Sequence, residues 1–282
     1  MVGHEECAKL LNEEAKTLLD TAPTLQPNAQ EELLDNLTEV FTKEDNEMLE
    51  KEITDDEVKE SLLKANRSSA PGSDGLSFLL YIQCWESLGP HLCEVLREVV
   101  KKGDLCESMK HTFLVFSPKV GKESSTKVKD LRKLSLLQTD FKVLSGVLVN
   151  RLKKTERHTL SEHQYSTGGK KITHGVCRAR NAIESVKSNS KGCAIFETDF
   201  VSAFDRMSVS WIWKVLHRKG CSRIFTSVLQ NLYEYTDCYV TCIINNEQQK
   251  RLVNNRKNIR QGDRSSTTLF AFAADPLLVT LN

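Results

Sequence analysis

Apolar residues recur along this chain with helical spacing over most of its length and with strand-like runs at a few places. Cys7, Leu10, Leu11, Ala15 and Leu18 follow a 3.6-residue period and predict an N-terminal helix, which Pro23 and Pro27 interrupt. A second helix is expected to carry Leu33, Leu34, Leu37 and Phe41. Thr54-Asp55-Asp56-Glu57 is a capping box and opens a third helix that runs to about Ala65. A turn cluster occupies 69–75. Leu92, Val95, Leu96, Val99 and Val100 then share one helix face, with Pro90 near the start and Gly103 just past the end. Further helices are expected over 141–152, 173–187, 209–218, 222–233 and 266–281, the last bent at Pro276. Strands are expected at 113–116 and 193–200. The runs 239–244 and 247–253, separated by Asn245-Asn246, read as a β-hairpin with a type I′ turn. Helices dominate and the strands are few, so the fold class is α+β.

Composition narrows the class without naming a task. Hydrophobic residues are 39% and charged residues 27% of the 282, ordinary values for a globular protein. No apolar run approaches the roughly 18 to 20 residues that span a bilayer. The first residues are acidic and lack the apolar core of a secretory signal, so an intracellular protein, nuclear or cytoplasmic and not secreted, is expected, with no membrane partner. The nine cysteines are scattered, form no CxxC pair and have no histidines at zinc spacing. They read mostly as small buried residues in a reducing compartment.

The net charge of +1 conceals an asymmetry. Residues 1–60 hold 18 Asp+Glu against 5 Lys+Arg, a net of −13, which leaves +14 on the remainder. A basic body suits a polyanion such as nucleic acid, and equally describes a solvated surface richer in Lys than in Glu.

Two segments carry candidate chemistry. In Phe196-Glu197-Thr198-Asp199-Phe200-Val201-Ser202-Ala203-Phe204-Asp205 an acidic residue ends a strand. There it can hold Mg²⁺, which takes one or two carboxylates plus phosphate oxygens. The alternative for Asp205 is a helix N-cap. In Asn258-Ile259-Arg260-Gln261-Gly262-Asp263 the glycine permits close backbone approach before an apolar helix, and a Gly-Asp turn capping that helix is the alternative.

Read in order, six segments resemble the reverse transcriptase domain of non-LTR (LINE-like) retrotransposons. They are Ala70-Pro71-Gly72-Ser73-Asp74-Gly75, Ser117-Pro118-Lys119, Arg132-Lys133-Leu134-Ser135-Leu136-Leu137, Gly169-Lys170-Lys171-Ile172, Thr198-Asp199-Phe200 with Ala203-Phe204-Asp205, and Arg260-Gln261-Gly262-Asp263. The resemblance runs from about residue 45 to the C-terminus. It implies a right-hand polymerase, helix-rich with a small antiparallel sheet: an acidic helical linker region at 1–50, a fingers-like region at 51–190 and a partial palm at 191–282. It implies RNA-directed DNA polymerase activity by two-metal nucleotidyl transfer, acting on an RNA template, a DNA primer and deoxynucleotides.

The implied roles follow position by position. Asp199 matches the catalytic, metal-binding aspartate, joined by the backbone carbonyl of Phe200. Phe204 matches the bulky residue under the incoming sugar, where a ring excludes a ribose 2′-OH. Lys119 and Arg132 match the residues that grip the triphosphate. Gln261 and Gly262 match the loop lying along nucleotide and template. Asp74 and Gly75 are expected to fix a turn.

The sequence also departs from the family pattern. Lys133 stands where the pattern has Pro, Gly168 and Lys170 replace the Pro and Arg of a PGR turn, Arg264 and Ser265 follow the RQG block where Pro or Leu is usual, and Glu197 occupies a small or apolar strand position. These departures suggest divergence or decay. The family's aromatic-x-Asp-Asp motif is not found after Gly262, so a C-terminally truncated domain, inactive alone, is expected. The alternative is a non-catalytic nucleic-acid-binding remnant. Clade, host and oligomeric state are not readable from the residues.

Overall fold

The computed structural model describes residues 13, 27–125, 127, 130–165, 169–188, 197–200, 202–234, 237–244, 247–253 and 258–281. The predicted N-terminal helix at 7–18 therefore lies outside the described residues, Glu13 excepted.

Helix α1 (Pro27–Asp35) is shorter than its apolar spacing suggested. Leu37 and Phe41 are buried, but in the extended stretch that follows. Two capping boxes then start two helices. Thr42 with Asp45 opens α2 (Lys43–Glu50), and Thr54 with Glu57 opens α3 (Asp55–Leu63) as its sequence predicts. The short α4 (Phe78–Gln83) has no counterpart in the sequence reading. Helix α5 (Trp85–Lys102) starts earlier than expected, so Pro90 lies inside its second turn. It ends at Gly103, whose φ of 70° is the left-handed conformation that glycine adopts without steric cost.

After α6 (Glu107–Lys110) the chain enters β1 (His111–Pro118), and β2 (Leu131–Leu136) returns beside it. Helix α7 (Thr139–Thr159) follows and is the hub of the core. Fifteen of its residues are buried, on every face, so it is surrounded rather than lying on a surface. It packs against α2, α3 and α5 and two later helices. One of its buried polar residues, Arg151, joins the end of α2 to the start of α3: it donates to both Glu57 oxygens at 2.7 Å and to the carbonyls of Leu49 and Glu52 at 3.0 Å.

The rest of the chain adds α8 (Ile172–Ser188), which buries no residue, then the single turn α9 (Ala203–Arg206), α10 (Val209–Arg218), α11 (Arg223–Glu234), the hairpin β3 (Asp237–Ile244) and β4 (Glu247–Val253), and α12 (Ser266–Thr280). The hairpin is where the sequence places it, with Ile244 opposite Glu247; its turn residues lie outside the described set.

The strands form one sheet in the order β2-β1-β3-β4. The outer pairs are antiparallel as expected, but β1 and β3 run parallel, His111 facing Asp237 and Leu114 facing Val240. Parallel neighbours need a long crossover, and β2 with the helices α7 to α11 supplies it. One apolar core extends from Leu34 to Ala273, so residues on both sides of position 190 share it. No helix among the described residues is long and apolar enough to cross a membrane. Of the five described free cysteines only Cys93 and Cys221 are buried, while Cys177 is exposed on α8, so burial is less general than the sequence suggests.

Candidate functional site

Four segments converge on a cleft of about 990 Å³: the end of β1, the strand β2, the turn α9, and the loop that leads into α12. Lys119, Arg132, Phe200, Phe204, Gln261 and Gly262 all line it, although up to 143 positions separate them in sequence.

The loop before α12 is built around Arg260. This residue is 1% exposed and donates to the carbonyls of Leu232 and Tyr233, each at 2.8 Å. Its guanidinium lies 4.6 Å from the centre of the Tyr233 ring, within cation–π range. Asp263 continues the network, accepting from Ser145, from the Ser265 hydroxyl at 2.6 Å and from Tyr233 at 3.3 Å. Asp263 is thus a buried tie between α7, α11 and the loop as well as a turn residue. The loop then closes on the sheet. Strand β2 is an edge strand, and its Ser135 N–H donates to the carbonyl of Gln261 at 2.6 Å.

That contact explains the glycine. Gly262 has φ 111°, and a Cβ there would stand 2.6 Å from the Ser135 carbonyl oxygen. Side chains avoid this backbone region, and the clashing atom belongs to a fixed strand. We expect Gly262→Ala to cost about 1–3 kcal/mol of stability, measured by chemical denaturation. An alanine variant as stable as the parent would refute this account of the loop.

The turn α9 presents Phe204 and Asp205 to the cleft. Phe204 packs on Phe270 of α12 at a centroid distance of 5.5 Å, and Phe270 meets Phe200 edge-on at 5.7 Å. Asp205 is not an N-cap: Ser202 occupies that place, and Asp205 sits within the turn. Its Oδ2 is 3.6 Å from Lys133 Nζ. Burial pushes the Asp205 carboxyl above the ordinary value, and the Lys133 ammonium and then Lys119 pull it back. The sequence reading gave neither Asp205 nor Lys133 a part in this cleft. The signal was present as a lysine in place of the family's proline.

Asp199 is exposed and does not line the cleft; its neighbour Phe200, half-exposed, does. Of the strand expected over 193–200, residues 193–196 lie outside the described set, and 197–200 are described but carry no strand. Among the described residues no group of three or more His, Cys, Asp or Glu side chains is placed to hold a metal ion. Asp199 and the Phe200 carbonyl could offer Mg²⁺ one carboxylate and one further oxygen, fewer ligands than the ion takes without phosphate and water.

The Ala70–Gly75 segment is structural. Asp74 accepts from the Leu76 N–H at 3.0 Å across the turn that Gly75, at φ 74°, completes. The segment is tied to the start of α7, where Gln138 donates to Ser73 at 2.6 Å and Lys142 to the Ala70 carbonyl at 2.8 Å. Arg264 donates to the carbonyl and hydroxyl of Ser61, both at 2.7 Å, and lies over Gly146, where a Cβ would collide with it.

Residues 118–282 match the family described as reverse transcriptase (RNA-dependent DNA polymerase). The chain is 31% identical over 258 residues to the transposon TX1 uncharacterized 149 kDa protein of Xenopus laevis, covering 91% of this chain and 19% of that protein. It is 24% identical over 231 residues to the retrovirus-related Pol polyprotein from the type-2 retrotransposable element R2DM of Drosophila melanogaster, covering 79% of this chain and 21% of that protein. The chain thus spans about a fifth of the length of either relative. Six motifs in order, a cleft that gathers residues from four of them, and the family match over more than half of the sequence lead to one conclusion: the chain belongs to the reverse transcriptase family, and among its members to the non-LTR retrotransposon kind.

Proposed function

We propose that this chain forms the nucleotide-gripping part of an RNA-directed DNA polymerase. The observation that carries the reading is the convergence of Lys119, Arg132, Phe204, Gln261 and Gly262 on one cleft. Lys119 and Arg132 supply two cations for the triphosphate, the Arg as a planar fork and the Lys as a point charge. Phe204 is the wall beneath the sugar. The Gln261-Gly262 backbone, held by the β2 edge, lies along the base and the template.

Divalent metals serve reverse transcriptases generally. Here we assign Mg²⁺ to Asp199 and the Phe200 carbonyl, where it would neutralise phosphate charge. Asp199 is the only residue of these 282 that matches the family's metal-binding aspartates, and no Asp-Asp pair follows it. The function we assign to the cleft residues is substrate binding. In the family's reaction the partners would be an RNA template, a DNA primer and deoxynucleotides.

The test is a titration of the purified chain with a deoxynucleoside triphosphate and Mg²⁺. Arg132→Ala and Lys119→Ala should each weaken binding by roughly tenfold, since a hydrogen bond to a charged group contributes about 1.5–3 kcal/mol. No triphosphate binding by the wild-type chain, or unchanged binding in the double variant, would defeat the proposal. A second reading, a nucleic-acid-binding remnant without catalysis, is favoured by the net +14 beyond residue 60. It requires RNA affinity that falls steeply with salt even where triphosphate does not bind.

A further inference from the structure

The grip and the aromatic wall leave Lys133 and Asp205 without a task, yet both line the same cleft. We infer that the Lys133–Asp205 ion pair is a positioning device for Phe204. It fixes how closely the ring approaches the sugar, and so sets the preference for deoxy- over ribonucleotides. This rests on the reading of Phe204 as the sugar-facing wall.

The turn that carries Phe204 cannot hold itself in place. Helix α9 is four residues long, and its N-cap makes no side-chain hydrogen bond. One isolated turn fixes several dihedrals for very few hydrogen bonds and does not persist unaided. It begins at Ser202, whose φ of 54° and ψ of 52° are unusual for a residue with a side chain. Its far end is held where Ile259 donates to the Met207 carbonyl at 3.3 Å and Ser208 bridges Asn258. Between those ends two contacts of adjacent residues set the turn: Phe204 on Phe270, and Asp205 on Lys133. Because the residues are neighbours in one turn, displacing Asp205 displaces the ring.

Lys133 is suited to be the fixed partner. It lines the cleft but is only 5% exposed, with its ammonium removed from solvent, whereas Arg132 is exposed. Its strand is held on both sides, by the pairing of Phe116 with Lys133 and by the Gln261 carbonyl on the outer edge. The pair therefore links a rigid strand to a turn that has little rigidity of its own. In these surroundings an ion pair is weakly screened, and removing one partner leaves a desolvated charge that must move or be neutralised. The proline of the family pattern has no ammonium and offers no such link.

The experiment compares binding of one deoxynucleoside triphosphate and its ribonucleotide counterpart, with Mg²⁺, across five forms of the full chain. The wild type should favour the deoxynucleotide, and Phe204→Ala should bring the ratio close to one. Lys133→Met and Asp205→Asn should each lower the ratio by roughly threefold to tenfold. Lys133→Arg, which keeps the pair, should retain it. A purely structural lesion would weaken both nucleotides together and leave their ratio intact. If Phe204→Ala collapses the ratio while Lys133→Met and Asp205→Asn do not change it, the inference is wrong and the wall reading stands. If Phe204→Ala leaves the ratio as it was, both fall. Thermal melting of each variant shows that it is folded; should Lys133→Met not fold, Asp205→Asn against Lys133→Arg decides the question.

Discussion

Replacing Arg260 with alanine is expected to lower the stability of this domain by about 3–5 kcal/mol. The side chain is almost wholly buried, so truncation removes a large packed group and leaves the carbonyls of Leu232 and Tyr233 without their donor. The face of Tyr233 loses its cation at the same time. Tyr233 is itself fully buried, and burial pushes its phenol well above the ordinary value, so the ring stays neutral. In a domain of this size the loss corresponds to a fall in melting temperature on the order of 10 °C. Arg260→Lys should recover little, because a single ammonium does not reproduce two diverging donors and a planar face. The measurement is calorimetric melting of Arg260→Ala and Arg260→Lys. A shift below about 3 °C for the alanine variant, roughly 1 kcal/mol at this size, would mean that Arg260 is not the anchor of the loop. Since the same loop presents Gln261 and Gly262, nucleotide binding should weaken together with stability.

A comparable loss is expected from Asp275→Ala, about 3–5 kcal/mol. Asp275 is completely buried, 2.6 Å from the ammonium of Lys219, and it accepts from the Ser161 N–H at 2.7 Å. Lys219 also donates to the Thr159 carbonyl at 2.7 Å, and its own carbonyl accepts from Val40 and Phe41. The pair therefore ties α12 to the end of α7, the end of α10 and the stretch before α2. Deleting one charge strands the other in the interior. Deleting both, as in Lys219→Met with Asp275→Leu, removes the desolvation cost along with the attraction. The double variant should be more stable than Asp275→Ala, despite carrying an additional substitution. Denaturant unfolding of Lys219→Met, of Asp275→Leu and of the double variant measures the coupling. Strictly additive losses would refute the description of these residues as one unit.

Both predictions concern residues whose importance the sequence hides. Arg260 is the first letter of a recognisable motif, but the motif does not tell whether its arginine faces a ligand or the core. Only the packing of α7 and α11 around it shows that it faces the core. Asp275 looks like an acidic residue in an apolar helix and gives no sign that Lys219, 56 positions earlier, lies opposite. Local signals behaved otherwise. The capping box at Thr54, the glycine stop at Gly103 and the hairpin strands on either side of Asn245-Asn246 were legible because their physics is contained within a few consecutive residues. Pro90 was placed near a helix start, whereas α5 begins five residues before it; the helix boundary answers to packing as well as to the proline. Leu37 and Phe41 kept helical spacing and were buried without forming a helix, because burial requires an apolar side chain but not a particular backbone.

Two departures from the family pattern read differently once neighbours are visible. Lys133 in place of proline meets Asp205, and Arg264 meets Ser61 and occupies the space that Gly146 leaves open. Counted together with the other departures they suggested divergence or decay. As contacts they are accommodated substitutions, each with a partner far away in the chain.

By itself the sequence determined the family, the helix-rich class and six of the residues that line the cleft. Each of those rests on residue type, order or short-range spacing, which survive without coordinates. The tertiary structure decided the parallel pairing of β1 with β3, the edge contact that requires glycine at 262, the position of Asp199 outside the cleft lining, and the partners of Lys133, Arg260 and Asp275. Those depend on distances between residues tens to hundreds of positions apart, and the free energy of a buried charge is set by what stands within a few ångströms of it rather than by its neighbours in the chain.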